Sequence, residues 1–217
     1  MNLLEEQKAE RRARIVAAAR KLIAQHGYDG LSMRTLAERS RVSVPTLYNL
    51  FGSKHGILAA EMQATFSDVA GALAAVADGD FVDHAFAMRE AALRSLTEAP
   101  GYHRELVRVM LTSRETDELR HSIEAQYIAV MTHSLAAGQK AGQLARWVDC
   151  EHLARTMYFV FMTAVLGWAK GDLDDEALRH ATAFNQCMML LGVARGAAAR
   201  RLEEQARKAQ RPSKRRR

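Results

Sequence analysis

Three prolines in 217 residues leave room for long helices, because a proline inside a helix removes a hydrogen bond and clashes with the preceding turn. The two cysteines, Cys150 and Cys187, are too few for a disulfide scaffold. With no signal-peptide or stop-transfer pattern beside them, a reducing, cytoplasmic setting is expected. No period-two alternation bounded by turns marks a strand, and no internal repeat is evident. The least polar stretch, Met157 to Ala169, runs MYFVFMTAVLGWA and falls short of the roughly 20 apolar residues that cross a bilayer. Catalytic patterns are missing too. The histidines are scattered, with no His-x-x-x-His pair, no Gly-x-Ser-x-Gly and no phosphate-cradling glycine loop. Neither Cys150 with His152 nor His180 with Cys187 makes a metal-ligand set by spacing. No enzyme activity, cofactor or metal is expected.

What is present is helical periodicity over a chain large enough to bury a sizeable core, with 48% hydrophobic content. Breakers divide it. Asp78-Gly79-Asp80 ends a fourth helix, Val82 to Glu98 forms a fifth, and Pro100-Gly101 interrupts before shorter helices reach about Thr112. Glu115 to Gly138, Cys150 to Lys170 and Asp174 to about Ala206 complete a set of about nine. Charge follows its own division. Residues 1–60 hold 10 Lys and Arg against 5 Asp and Glu, residues 61–199 hold 12 against 18, and residues 200–217 hold 9 against 2. An acidic body is repelled by a duplex, which favours approach with the basic first sixty residues forward.

The most informative stretch is Ser32 to Lys54, SMRTLAERSRVSVPTLYNLFGSK. Met33, Leu36 and Ala37 recur at helical spacing behind Ser32, a good N-cap. Ser43 then precedes Pro45 in a first turn, with Val44, Leu47 and Phe51 following at intervals of three and four. Ser40, Arg41 and Val42 alone separate the two helices, the loop length of a helix-turn-helix. At about 100° per residue, Pro45, Tyr48 and Asn49 oppose the apolar side, with Thr46 beside them. This outward face carries no charge, which suits base edges and phosphate oxygens.

The run resembles the DNA-binding domain of TetR/AcrR-type transcriptional regulators, in Leu36, Ala37, Val42, Ser43, Thr46, Leu47, Tyr48, Phe51, Ser53 and Lys54. Upstream, the stripe Ile15, Ala19, Leu22 and Ile23 ending at Gly27-Tyr28 is similar to the family's first helix. Two residues depart from the pattern. Arg41 stands where the family usually has glycine, so a left-handed turn costing about 1 kcal/mol is expected there. His55 replaces the usual acidic residue after Ser-Lys.

The resemblance implies an all-α chain: a three-helix DNA-binding domain over residues 1–52, a helical ligand-binding and dimerisation domain over 53–199, and a basic extension over 200–217. It implies that Thr46, Tyr48 and Lys54 hold phosphates, that Ser32 and Arg34 touch the backbone, and that Val44, Pro45 and Asn49 meet bases. The cavity it implies, among helices four to eight, takes Phe66, Met88, Met110, Tyr127, Met131, Phe159 and Met162. A dimer built on the last long helices takes Phe161, Val165, Trp168, Phe184, Met188 and Leu191. The expected partners are a palindromic double-stranded operator, a mostly apolar small molecule and a second copy of the chain, with no membrane. The expected function is that of a dimeric repressor released by its ligand. Alternatives are a ligand-independent DNA-binding regulator and, further off, a helical small-molecule enzyme or carrier.

Overall fold

The computed structural model describes residues 3–60, 71–72, 75 and 79–210. Phe66 and the segment from Arg211 to Arg217 lie outside the described residues. Among the described residues there are ten α-helices: α1 (Leu3–His26), α2 (Met33–Ser40), α3 (Val44–Phe51), α4 (helical at 54–60), α5 (Phe81–Glu98), α6 (Pro100–Thr112), α7 (Asp117–Lys140), α8 (Cys150–Lys170), α9 (Asp175–Leu191) and α10 (Gly196–Ala209). A single 3-10 turn, Arg114–Thr116, joins α6 to α7, and no strand occurs among the described residues.

Local chemistry explains the first three helices. Ile15, Ala19, Leu22 and Ile23 are all buried, and Gly27 ends α1 at φ +70°. Ser32 and Ser43 both cap as expected, their hydroxyls accepting from the Thr35 and Thr46 amides at 3.0 and 3.2 Å. Between them Arg41 adopts φ 53°, ψ 48°, left-handed and outside the comfortable range of a residue with a Cβ. Its amide donates to Glu38 O and the Val42 amide to Ala37 O, so the last carbonyls of α2 are satisfied by a Schellman turn. Arg41→Gly is accordingly expected to stabilise the protein by up to about 1 kcal/mol, visible as a higher urea midpoint at unchanged slope.

One buried cluster unites this domain: Ile15, Leu22, Ile23, Leu36, Leu47, Phe51, Ile57 and Leu58. It also takes in Tyr102, Leu106, Val109 and Met110 of α6, so the head is not sealed from the body. The body has two further clusters. One joins Phe81, Val82, Met131, Leu135, Met157, Leu190 and Leu202 from α5 and α7 to α10. The other packs Leu93, Val107, Val165 and Leu178 around Trp168.

The long final helix expected from Asp174 to Ala206 is instead two helices. Val193 O accepts from the Ala145 amide at 2.9 Å, and Gln143 O accepts from the Arg195 amide at 2.8 Å. Leu144 and Ala194 thus form an antiparallel bridge, and Gly196 turns the chain at φ +59°. Backbone groups that an uninterrupted helix would have used internally are taken by the α7–α8 connector. Among the described residues the helix count is ten for this reason. The boundary expected at 199/200 also falls inside α10, whose Ala198, Leu202 and Ala206 are buried in the body core. Arg201 fastens α10 across the chain to Asp80, at 2.9 Å, and to Asp83.

Candidate nucleic-acid interface and ligand cavity

Packing of Leu47 and Phe51 into the head core turns the opposite side of α3 outward. Pro45, Tyr48 and Asn49 are exposed there, with Val44 and Thr46 half-buried beside them. Tyr48 is 49% exposed, so its ring is not a core side chain. Ser32 and Arg34 are exposed at the start of α2, and Arg34 pairs with Glu38 at 3.3 Å. Both partners of that pair stand in solvent, so it is worth little and yields readily to a phosphate.

Lys54 opens the helical residues 54–60 and is held differently. Its ammonium lies 4.1 Å from the centroid of the Tyr28 ring, which also meets His55 at 5.6 Å. His55, in place of the family's carboxylate, therefore joins the junction between α1 and α4 by its ring. Sequence reasoning missed Arg12. Its guanidinium donates to Leu50 O and lies 4.6 Å from the Phe51 ring centroid, tying α1 to the end of α3. Only the folded chain brings these residues together, 38 positions apart.

Behind the head, α5 to α9 enclose a cavity of about 290 Å³. Met88, Met110, Tyr127 and Met162 line it, four of the seven residues expected there. Two others do not. Met131 is fully buried between α5, α8 and the rest of the body core, and Phe159 is 53% exposed on the outer side of α8, packed edge-on against Tyr158. Phe66 lies outside the described residues. Phe161 and Val165, expected at a subunit surface, line the cavity instead. Trp168, expected at the same surface, is fully buried, donating from Nε1 to Asp175 Oδ1 at 2.7 Å beneath the Arg104 guanidinium. A side chain with no exposed area has none left to offer a partner. The α8 face that remains open carries Phe159 and Thr163, and α9 presents Met188, 49% exposed, with half-buried Phe184 and Leu191 one turn to either side.

Polar groups in the cavity wall come mainly from residues the sequence did not single out: Arg89, His103, Thr182, Asn185 and Gln186. Burial, reinforced by the Arg20 charge, pushes His103 down to about 4, and its Nδ1 lies 3.2 Å from Ala99 O. Burial raises the Tyr127 hydroxyl well above its ordinary range, keeping it a neutral donor. The His103 shift also makes stability depend on pH. The unfolded histidine takes up a proton near its ordinary 6.5 while the folded one resists to about 4, so stability is full above 6.5 and falls as pH drops through that window. About 2 kcal/mol is expected to be lost between pH 7 and pH 5, measured by urea denaturation, and His103→Gln should flatten the loss.

Helix α6 belongs to both sites. His103 and Val107 face the cavity, Tyr102 and Val109 pack in the head core, and Leu106 and Met110 take part in both. Glu105 Oε1 accepts from the Tyr28 amide at 3.1 Å, at the point where α1 ends. Arg108 grips the same carboxylate twice, at 2.6 and 2.9 Å, and holds its pKa below the usual range.

Residues 15–60 match the family model of bacterial regulatory proteins, tetR family. The HTH-type transcriptional repressor KstR of Mycobacterium tuberculosis is 26% identical over 170 residues, 75% of this chain and 73% of that one. A putative TetR-family transcriptional regulator from Rhodococcus sp. superposes with TM-score 0.68 at 20% identity, covering 83% of this chain and 99% of that one. SmeT, the repressor of the Stenotrophomonas maltophilia multidrug efflux pump SmeDEF, gives TM-score 0.68 at 18% identity over 86% and 92% of the two chains. The matched segment carries the capped α2–turn–α3 unit and its uncharged outer face, so residues 15–60 form a DNA-binding domain of the tetR family type, and the chain as a whole is similar to TetR-type transcriptional regulators.

Proposed function

We propose that the protein is a homodimeric, cytoplasmic repressor whose two α3 helices enter successive major grooves roughly 34 Å apart, and which a mostly apolar small molecule in the α5–α9 cavity releases from its operator. In this reading Thr46, Tyr48 and Lys54 hold phosphates, and Ser32 and Arg34 touch the backbone. Asn49 bonds to a base, adenine being its best bidentate partner, while Val44 and Pro45 offer apolar contact such as a thymine methyl takes. The second copy is seated on the open α8–α9 face of Phe159, Phe184, Met188 and Leu191, and a two-fold axis there calls for a palindromic site.

The observation that carries ligand response is the double membership of α6. One rigid helix lines the cavity with one side and completes the head core with another. A ligand that favours one setting of α6 therefore favours one setting of both heads, and the spacing of the two α3 helices follows as a population shift. The test selects bound fragments from random DNA with the purified protein, then screens compounds for their release. A palindromic consensus and at least one releasing apolar compound are expected. A selection without two-fold symmetry would sink the dimer, and retention on DNA in every compound tried would favour a ligand-independent regulator.

A further inference from the structure

The cavity has apolar walls and one fixed cation. Among the described lining residues Arg89 alone is charged at neutral pH, since burial keeps His103 neutral, and no carboxylate lines the space. The guanidinium is held in place from several sides. Its Nη1 donates to Gln186 Oε1 at 2.8 Å, and the Gln186 amide is itself pinned by donating to Ala85 O at 2.9 Å. The Phe86 ring lies 5.0 Å away. Its Nη2 donates to Glu90 Oε1 at 2.7 Å, but the other Glu90 oxygen lies 3.7 Å from Arg179. One carboxylate is thus shared between two guanidiniums, which leaves this corner with an excess positive charge. The side chain is only 11% exposed, and its Nε–H is buried without a hydrogen-bond partner.

A poorly hydrated cation in the wall of a space otherwise lined by uncharged and mostly apolar side chains suits one ligand chemistry. A neutral molecule, even one with a carbonyl acceptor, leaves the charge uncompensated, and a cation is repelled in a low-dielectric site. We infer that the effector is an amphiphilic anion, its carboxylate or phosphate-type head accepting from Arg89 and its apolar body lying among Met88, Met110, Phe161 and Met162. This rests on the proposed reading of the cavity as the effector site and narrows it to one ligand class. Charge-assisted hydrogen bonds are the strong ones, so the head should account for about a ten- to hundredfold gain in affinity.

Calorimetric titration of the full-length protein tests this with four probes sharing one chain length: decanoate, decyl phosphate, methyl decanoate and decyltrimethylammonium. At least one anion is expected to bind about tenfold or more tightly than the ester, with the cation weakest, and which anion binds better identifies the head. Arg89→Gln should abolish the preference for anion over ester while leaving the ester within about twofold. Arg89→Lys should restore part of that preference, and the wild-type comparison stands even if a variant fails to fold. Equal affinity of ester and anions for the wild type overturns the inference while leaving the cavity as an effector site. No binding by any probe overturns both.

Discussion

Replacing Trp168 by alanine is expected to destabilise the protein by about 3–5 kcal/mol, the range for emptying a large aromatic site in a core that collapses only partly. The site is unusually constrained. Trp168 has no exposed area, and Leu93, Val107, Val165 and Leu178 surround it from α5, α6, α8 and α9. Its indole N–H donates to Asp175 Oδ1 at 2.7 Å, and the Arg104 guanidinium lies 5.0 Å from its ring. Truncation therefore opens a cavity and removes both polar partners at once. Trp168→Phe should lose less, because it fills most of the volume and forfeits mainly the hydrogen bond. Urea denaturation of the two variants checks the order. A loss under about 1 kcal/mol for alanine would mean that the side chain is not the buried centre of its cluster.

The second large effect is on DNA and should leave stability nearly untouched. The double variant Thr46→Ala, Tyr48→Phe is expected to bind the selected operator about a hundredfold more weakly, from the loss of two hydroxyl donors to charged phosphate oxygens. Neither hydroxyl holds the core. Tyr48 is half-exposed, and Thr46 shares only a surface contact of 2.8 Å with the Ser43 hydroxyl. Because neither group carries charge, the loss should be uniform across salt concentration, whereas removing a Lys–phosphate contact lowers the salt slope. Affinity measured at several salt concentrations, beside a thermal melt, separates lost contacts from lost folding. An unchanged affinity would move the phosphate contacts elsewhere on the head.

The head was legible because its signals are local. Ser32 and Ser43 cap helices that begin at the next residue, Leu47 and Phe51 share a face by spacing alone, and Arg41 sits in a turn with room for few conformations. The outer face of Pro45, Tyr48 and Asn49 follows once Leu47 is buried. The body was less legible because its helices are apolar on more than one side. Met157 to Ala169 announces burial without saying against what, so Phe161, Val165 and Trp168 were expected at a subunit surface when two of them line the cavity and the third fills a core. Met131 and Phe159 failed similarly, one rotated into the core and the other onto the surface.

The sequence by itself determined an all-helical chain, the capped helix α3 with its uncharged outer face, the strained turn at Arg41 and the division into basic head and acidic body, since propensity, capping and charge act over a few residues. Only tertiary structure decided which long-range groups meet. It split α9 from α10 through the bridge of Leu144 with Ala194, set Glu105 against the Tyr28 amide, tied Arg12 to the end of α3, and fixed Arg89 against Gln186 in an apolar wall. Those pairs lie 38 to 97 positions apart, where no periodicity reaches and only packing selects partners.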